Sequence, residues 1–268
     1  MIGQTLSDLG ADVIKIESPE GDDTRKWGPP FVDHEGDRSA AYFHCTNRGK
    51  TSQTVDFKNE TQLTELRELI ADADILIENF KVGGLCKFGL NFVKLNKLNP
   101  RLVYCSITGF GQDGPYAHRA GYDFLIQGMS GIMDLTGESS GDPQKIGVAF
   151  ADIFSGLYGV IGIQAALADR AKTGLGQHVD ISLLDCMTGV LANQAMNYLT
   201  SGTSPSRMGN AHPNIVPYQT FGVSDGYIIV ACDNDRQFQA LCKTLELSDI
   251  QDDPRYSSNA QRVKIVIF

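Results

Sequence analysis

The 268 residues hold 32 Asp and Glu against 23 Lys and Arg, a formal charge of −9, and no long basic run offsets it. That balance argues against a general nucleic-acid binder, which needs clustered cations against phosphate. A composition of 42% apolar residues with 28 Gly and 10 Pro fits one large globular domain, or one and part of another, and no run approaches the roughly 20 apolar residues of a membrane span.

The opening run from Met1 to Gly10 already reads as the body of a helix, and Asp12-Val13-Ile14-Lys15-Ile16-Glu17 as a short strand behind it. Asp74-Ile75-Leu76-Ile77-Glu78 and the run 101–107 are two more strands, with helical stretches around 60–71 and 90–98. Strands separated by helices predict an α/β fold: an open, mostly parallel sheet with helices on both faces. The run 109–115, GFGQDGP, follows the third strand. It reads either as a ligand-binding loop at the carboxyl edge of the sheet or as an ordinary Gly-Pro turn.

Further on, 123–134 is expected to be helical, 153–170 a long helix, 177–181 a strand and 183–200 another helix, with Gly174-Leu175-Gly176-Gln177 turning the chain between the long helix and its strand. Ser201-Gly202-Thr203-Ser204-Pro205-Ser206 has the composition of a linker. Beyond it, Tyr218 to Val223 and Tyr227 to Ala231 form a hairpin around Ser224-Asp225-Gly226, and a helix follows from about 235 to 245. The expected organisation is therefore a large domain over 1–200, a linker over 201–217 and the start of a smaller α+β domain over 218–268. The chain opens inside a helix and ends at Phe268 without a closing element, as a piece of a longer chain would.

Cysteines at 45, 86, 105, 186, 232 and 242 form no CxxC, and several lie in apolar runs. They read as free thiols in a reducing compartment; neither a disulfide framework nor a metal site is expected. No GxGxxG fingerprint opens an early βαβ unit, and no GxxxxGK[ST] phosphate loop is present.

One acidic residue stands out, Asp152, between an apparently extended apolar run from Gly147 and a helix in which Ile153, Phe154, Leu157, Tyr158 and Ile161 recur at helical spacing. As an N-cap it would do no more than satisfy orphan N–H groups. As a carboxylate held ionised and aimed by the first turn of a largely buried helix, it could act as a nucleophile. Gly156, Gly159 and Gly162 line one face of that helix. Each costs about 0.5–1 kcal/mol relative to Ala, a cost tolerated where backbone, another helix or a ligand approaches closely.

Five pieces together resemble the class III CoA-transferases, the CaiB/BaiF family, over essentially the whole chain. They are the run 9–17 (LGADVIKIE), Gly21-Asp22-Asp23-Thr24-Arg25, Asn47-Arg48-Gly49-Lys50, the run 74–80 (DILIENF) and Gly174-Leu175-Gly176-Gln177. The resemblance implies a Rossmann-like large domain whose first strand precedes Met1, and an aspartate at position 152 that attacks an acyl-CoA thioester. CoA is then transferred through a mixed anhydride and an aspartyl thioester to a free carboxylate. It further implies that Asn79 and Phe80 approach the nucleotide end of CoA, that Lys87 and Arg119 meet its phosphates, that Arg25 and Arg48 contribute, and that Tyr122 and Asp123 are among the CoA-binding residues. Ordinary solvated surface is the alternative for each of the four basic residues. Ser18 stands where members often carry an arginine, which puts one adenine-side contact in doubt.

Racemases of the family place a histidine before an aspartate after the Gly-Pro loop; here Tyr122 precedes Asp123. Tyrosine, with a reference pKa near 10, is a poor neutral-pH substitute for that base, which favours transfer over proton exchange. Packing of Tyr122 against the long helix is the plainer alternative. The run 207–218 resembles the loop into the small domain without the glycine-rich insert of oxalate-handling members, so formyl-CoA:oxalate exchange is not expected; His212 is an acceptor contact or a structural turn histidine. Trp27-Gly28-Pro29-Pro30-Phe31 and Ile215-Val216-Pro217-Tyr218-Gln219 resemble the succinyl-CoA-dependent, dicarboxylate-using branch that includes succinate–hydroxymethylglutarate CoA-transferase. The implied partners are acyl-CoA and a small carboxylic acid as substrates, with no resident cofactor or metal, no nucleic acid and no membrane. An interlocked homodimer is also implied, mitochondrial in a eukaryote or cytoplasmic in a bacterium, so that a lone chain would leave sheet edges or apolar surface open. A non-catalytic CoA-binding paralogue is the other alternative.

Overall fold

The computed structural model describes residues 1–34 and 36–266. Helix α1 (Ile2–Asp8) leads into strand β1 (Val13–Glu17), and a hairpin follows, β2 (Phe31–His34) with β3 (Asp37–Ala40). After α2 (Ala41–Asn47) comes β4 (Lys50–Thr54), parallel to β1 with Ile14 opposite Thr51. Helix α3 (Glu60–Asp72) starts at Asn59, whose side chain accepts the Thr61 and Gln62 N–H groups, and buries Leu63, Leu66 and Ile70 at helical spacing. Strand β5 (Ile75–Glu78), helix α4 (Phe92–Leu98) and strand β6 (Val103–Thr108) complete the first half.

The remaining elements are α5 (Asp123–Met129), α6 (Ile132–Leu135), α7 (Phe150–Thr173), β7 (His178–Ser182), α8 (Leu183–Val190) and α9 (Ala192–Ser201), then β8 (Tyr218–Val223), β9 (Gly226–Ala231), α10 (Asp235–Thr244), α11 (Ser248–Gln251) and α12 (Asn259–Ile265). The chain forms two compact units, Met1–Ser130 with Gly147–Ala192, and Gly131–Ile146 with Asn193–Phe268.

In the first unit β5, β6 and β7 make a parallel sheet with β6 central; Glu78 lies opposite Ser106, and Ser106 opposite Asp180. Alternation along β6 sends its side chains into two cores. Val103 and Cys105 pack with Ile2 and Leu6 of α1 and Val160 and Ile163 of α7. Leu102 and Tyr104 join Leu63, Leu66 and Ile70 of α3 and Leu95 of α4. Helices thus cover both faces of a parallel sheet, the expected α/β architecture. β1 and β5 are each paired on one side only.

Helix α7 departs from expectation in two ways. It begins at Phe150, with Ala149 at the N-cap, so the residues from Gly147 form a loop, and Asp152 lies in the first turn without capping it. One face is buried, through Ala151, Ser155, Gly156, Gly159, Val160, Ile163 and Ala166, whereas Ile161 is 63% exposed beside exposed Leu157 and Tyr158. By length and composition its 24 residues would pass for a membrane span; the buried face shows a helix laid on a sheet. The glycine stripe admits protein. A Cβ on Gly156 or Gly159 would meet Met1 at 2.9 Å or Ile2 at 2.4 Å, and one on Gly162 would meet Val179 of β7 at 2.7 Å.

Two expected helices are broken. The 123–134 helix stops at Met129 and restarts after Gly131, whose φ is +86°, and the 183–200 helix divides at Ala192, φ +46°. In the second unit, β8 and β9 pair antiparallel, and α10 buries Phe238 and Cys242. Arg262, 2% exposed, ties this unit together by donating to the carbonyls of Val216 (2.8 Å) and Tyr256 (2.9 Å).

Candidate functional site

Beyond the carboxyl end of β6, the glycine loop returns on itself so closely that a Cβ on Gly109 would lie 2.5 Å from the Gly121 Cα. Tyr122 follows as the N-cap of α5, and Asp123 occupies its first turn. Asp123 reaches α7, whose N-cap Ala149 forms no side-chain cap. One carboxylate oxygen accepts the Ala151 N–H at 2.8 Å and the Asp152 N–H at 3.4 Å. The other accepts Nε2 of buried Gln127 at 2.7 Å.

Asp152 sits beside this link. Its residue reaches solvent, yet protein packed around the carboxyl pushes the pKa from 3.8 up to about 6, chiefly by burial and then by the Asp123 charge, against a smaller pull from the Met1 amino group. The first-turn N–H donors expected to hold Asp152 strongly ionised are taken by Asp123, and burial leaves the Asp152 carboxylate more basic than an ordinary aspartate. Helix α2 brings Tyr42 to the same place: burial, then the charges of Asp152, Cys45 and Asp123, raise its phenol. Trp27 meets Tyr42 edge-on at 5.1 Å. Sequence reasoning passed over Tyr42 because it placed no helix at 41–47.

Asp123 and Asp152 therefore come together, whereas Tyr122, next to Asp123 in the chain, is 77% exposed and not packed into the core. Asn79 and Phe80 lie just past the end of β5, exposed. The Phe80 N–H donates to Glu78 at 2.8 Å, and its ring stacks on Phe57 with centroids 6.1 Å apart. Lys87, on the same loop, is exposed with Nζ 4.7 Å from the Phe88 ring centre. Arg119 is exposed on the glycine loop, 4.1 Å over Tyr116. Arg25 stands in another cluster. Its guanidinium grips both oxygens of Glu17 at 2.8 Å and lies 3.9 Å over Phe43, which makes it a structural tie in this chain. Arg48 is likewise paired with Asp8.

A cavity of about 260 Å³ opens beside the 81–86 loop, lined among others by Glu78, Tyr104, Ser106, Gln112 and His178. Ser106 Oγ and His178 Nε2 are 2.9 Å apart, and burial raises Glu78. In the sequence Glu78 falls in the run 74–80 and Gln112 in the glycine loop, whereas only local β pattern marked Tyr104, Ser106 and His178. In the second unit His212 accepts the Asn214 N–H within its turn at 3.0 Å. Among the described residues no three His, Cys, Asp or Glu gather as a metal site, and all six cysteines are free.

A parallel sheet covered on both faces, with a basic carboxylate at the start of its core helix and exposed cations on neighbouring loops, defines a three-layered α/β protein with a polar site at its strand ends. The chain belongs to CoA-transferase family III, whose profile matches residues 1–266. It is 57% identical over 264 residues to the succinate–glutarate CoA-transferase of Agrobacterium fabrum, covering 97% of this chain and 66% of that protein. With the succinyl-CoA:glutarate CoA-transferase of Mus musculus the identity is 44%, over 97% of this chain and 59% of the relative. The chain thus spans less than two thirds of either relative's length. The crystal structure of a CAIB/BAIF family protein from Brucella suis superposes with a TM-score of 0.86 at 66% identity, covering 98% of this chain and 70% of that one.

Proposed function

We propose that this chain carries the catalytic aspartate of a CoA-transferase that moves coenzyme A from succinyl-CoA to a dicarboxylic acid of glutarate type. The observation that carries the proposal is Asp152 in the first turn of α7, a residue that reaches solvent and whose carboxyl is packed by protein so that its pKa is about 6. At pH 7 such a group is roughly nine-tenths ionised, and it is a stronger nucleophile than an ordinary aspartate. The names of the Agrobacterium and mouse relatives support the donor and acceptor class.

An Asp152 oxygen attacks the thioester carbon; the C–O bond forms, the C–S bond breaks and CoA leaves as thiolate, an easier leaving group than an alkoxide. The thiolate attacks the aspartyl carbonyl of the mixed anhydride and releases the donor acid as carboxylate. The acceptor carboxylate then attacks the aspartyl thioester, and the thiolate returns to the acceptor's acyl carbon, restoring Asp152 with no net proton transfer. Asn79 and Phe80 lie towards the nucleotide of CoA in this arrangement. Lys87 and Arg119, with no carboxylate partner among the described residues, are free to meet phosphate. Arg25, held by Glu17, is the weakest of the proposed CoA contacts. Exposed Phe124, Leu125 and Ile161 support a homodimer in which further protein covers α5 and α7.

Racemisation is the weaker alternative. It needs a second base, and the charges acting on Asp152 come from Asp123 and an amino group, with no imidazole among them. Incubating full-length enzyme with acyl-CoA and hydroxylamine or borohydride should modify the peptide containing Asp152, and Asp152→Asn should abolish both labelling and exchange. An enzyme that exchanges CoA without labelling that peptide would refute the mechanism.

A further inference from the structure

A side chain at a helix N-cap ordinarily takes the N–H groups of the second and third helical residues, here Ala151 and Asp152. Ala149 has no side chain able to do so, and Asp123 supplies the acceptor from 28 and 29 residues away. Gln127, 0% exposed, in turn holds Asp123 and reaches the Val148 carbonyl at 3.3 Å, just ahead of the helix. The cap is thus fixed at both ends by groups already engaged.

We propose that Asp123 is the positioning residue of the transfer reaction: it caps α7 from α5, fixing the first turn and with it the aim of Asp152, while Gln127 fixes Asp123. This role rests on Asp152 being the nucleophile. A side chain in a first turn moves with its backbone, and misplacement by 1 Å can cost about 10²-fold in rate. An anionic cap has a second effect, because it disfavours charge on Asp152 and keeps it basic. The other groups facing Asp152 are the Tyr42 phenol on α2, near Cys45, and the Met1 amino group.

The test compares full-length wild type with Asp123→Asn and Asp123→Ala. The first keeps an oxygen for the two N–H groups, deletes the charge and requires the Gln127 amide to turn over to meet the new NH2; the second deletes both the acceptor and the charge. Amide hydrogen exchange at Ala151 and Asp152 should quicken about 10-fold or more in the alanine variant and stay close to wild type in the asparagine variant. The alanine variant should lose roughly 10²-fold in kcat with KM for acyl-CoA within about threefold, and the acid limb of kcat should move to lower pH in Asp123→Asn. Unchanged amide exchange in Asp123→Ala overturns the proposal, as does a raised KM with unchanged kcat, which would make Asp123 a CoA contact. If the alanine variant does not fold, an unmoved acid limb in Asp123→Asn overturns it. A wild type without CoA exchange overturns the nucleophile itself, whereas amide exchange, which needs no turnover, still decides whether Asp123 holds the turn.

Discussion

Gly176 and Leu102 approach so closely that a Cβ on the glycine would lie 2.0 Å from the leucine's carbonyl oxygen. The contact joins the turn after α7 to the entry of β6, and the Gly176 N–H donates to the Pro100 carbonyl at 2.8 Å. Backbone cannot retreat as a side-chain tip can. Gly176→Ala should therefore cost about 3 kcal/mol, at the upper end of overpacking losses. Gly174, two residues earlier, has open space where its Cβ would be and a φ of +78°, so Gly174→Ala should cost only about 1–2 kcal/mol, the left-handed penalty. Urea denaturation of both variants separates these effects; equal losses would show that close approach is not what selects Gly176.

Glu17 at the end of β1 should govern acid stability. Arg25 is the main cause of its pKa falling from 4.5 to about 2, assisted by Ser52 and the Asp22 N–H against the cost of burial. A carboxylate depressed by folding contributes stability that is complete above pH 4.5 and lost as pH falls towards 2. Glu17→Gln should cost about 2–4 kcal/mol at neutral pH, because Arg25 loses its charged partner. The variant's loss should shrink steadily below pH 4.5. A pH-independent loss in urea midpoints would assign the effect to packing.

The contrast between Glu17 and its neighbours shows what a chain of this kind makes legible. β1, β5, β6 and the β8–β9 hairpin could be read because apolar and β-branched residues cluster within them. β4, Lys50-Thr51-Ser52-Gln53-Thr54, has four exposed residues of five and no apolar alternation, so its pairing with β1 left no pattern. β2 is exposed throughout and was missed for the same reason. The helix breaks at Gly131 and Ala192 depend on single positive-φ residues inside otherwise helical composition. Asp152 could be placed in the first turn of a core helix, but its cap could not be foreseen: the acceptor comes from another helix, and no local spacing encodes it. The glycine stripe of α7 correctly announced a close approach without saying that α1 and β7 make it.

Arg262 should matter more than its acidic partner. The guanidinium is buried, donates to two carbonyls, lies 4.2 Å over the Phe238 ring and pairs at 2.8 Å with Asp235, whose side chain is half exposed. Arg262→Leu leaves the Val216 and Tyr256 carbonyls unpaired and should cost about 2–4 kcal/mol. Asp235→Asn leaves both of those bonds in place, and an accessible carboxylate contributes little, so the cost should be about 1 kcal/mol or less. Thermal unfolding followed by near-ultraviolet circular dichroism ranks the two, and a greater loss from Asp235→Asn would mean that the ion pair outweighs the carbonyl bonds.

Asp152 should set the acid limb of activity and run against stability. With a pKa raised from 3.8 to about 6 in the unliganded protein, kcat/KM should reach half its plateau near pH 6 and fall about tenfold per unit below it, as the proposed nucleophile is protonated. The stability sign follows from the same shift. The folded protein holds a proton that the unfolded chain releases, so this group's favourable contribution is present below pH 3.8 and disappears as pH rises through about 6. Because the residue reaches water, the effect should not exceed about 1 kcal/mol. Asp152→Asn should therefore be inactive yet slightly more stable than wild type above pH 6, and no more stable below pH 3.8. Urea midpoints on both sides of this window measure it. A variant less stable than wild type at high pH would mean that the ionised carboxylate is held by favourable contacts, and the basic nucleophile would have to be abandoned.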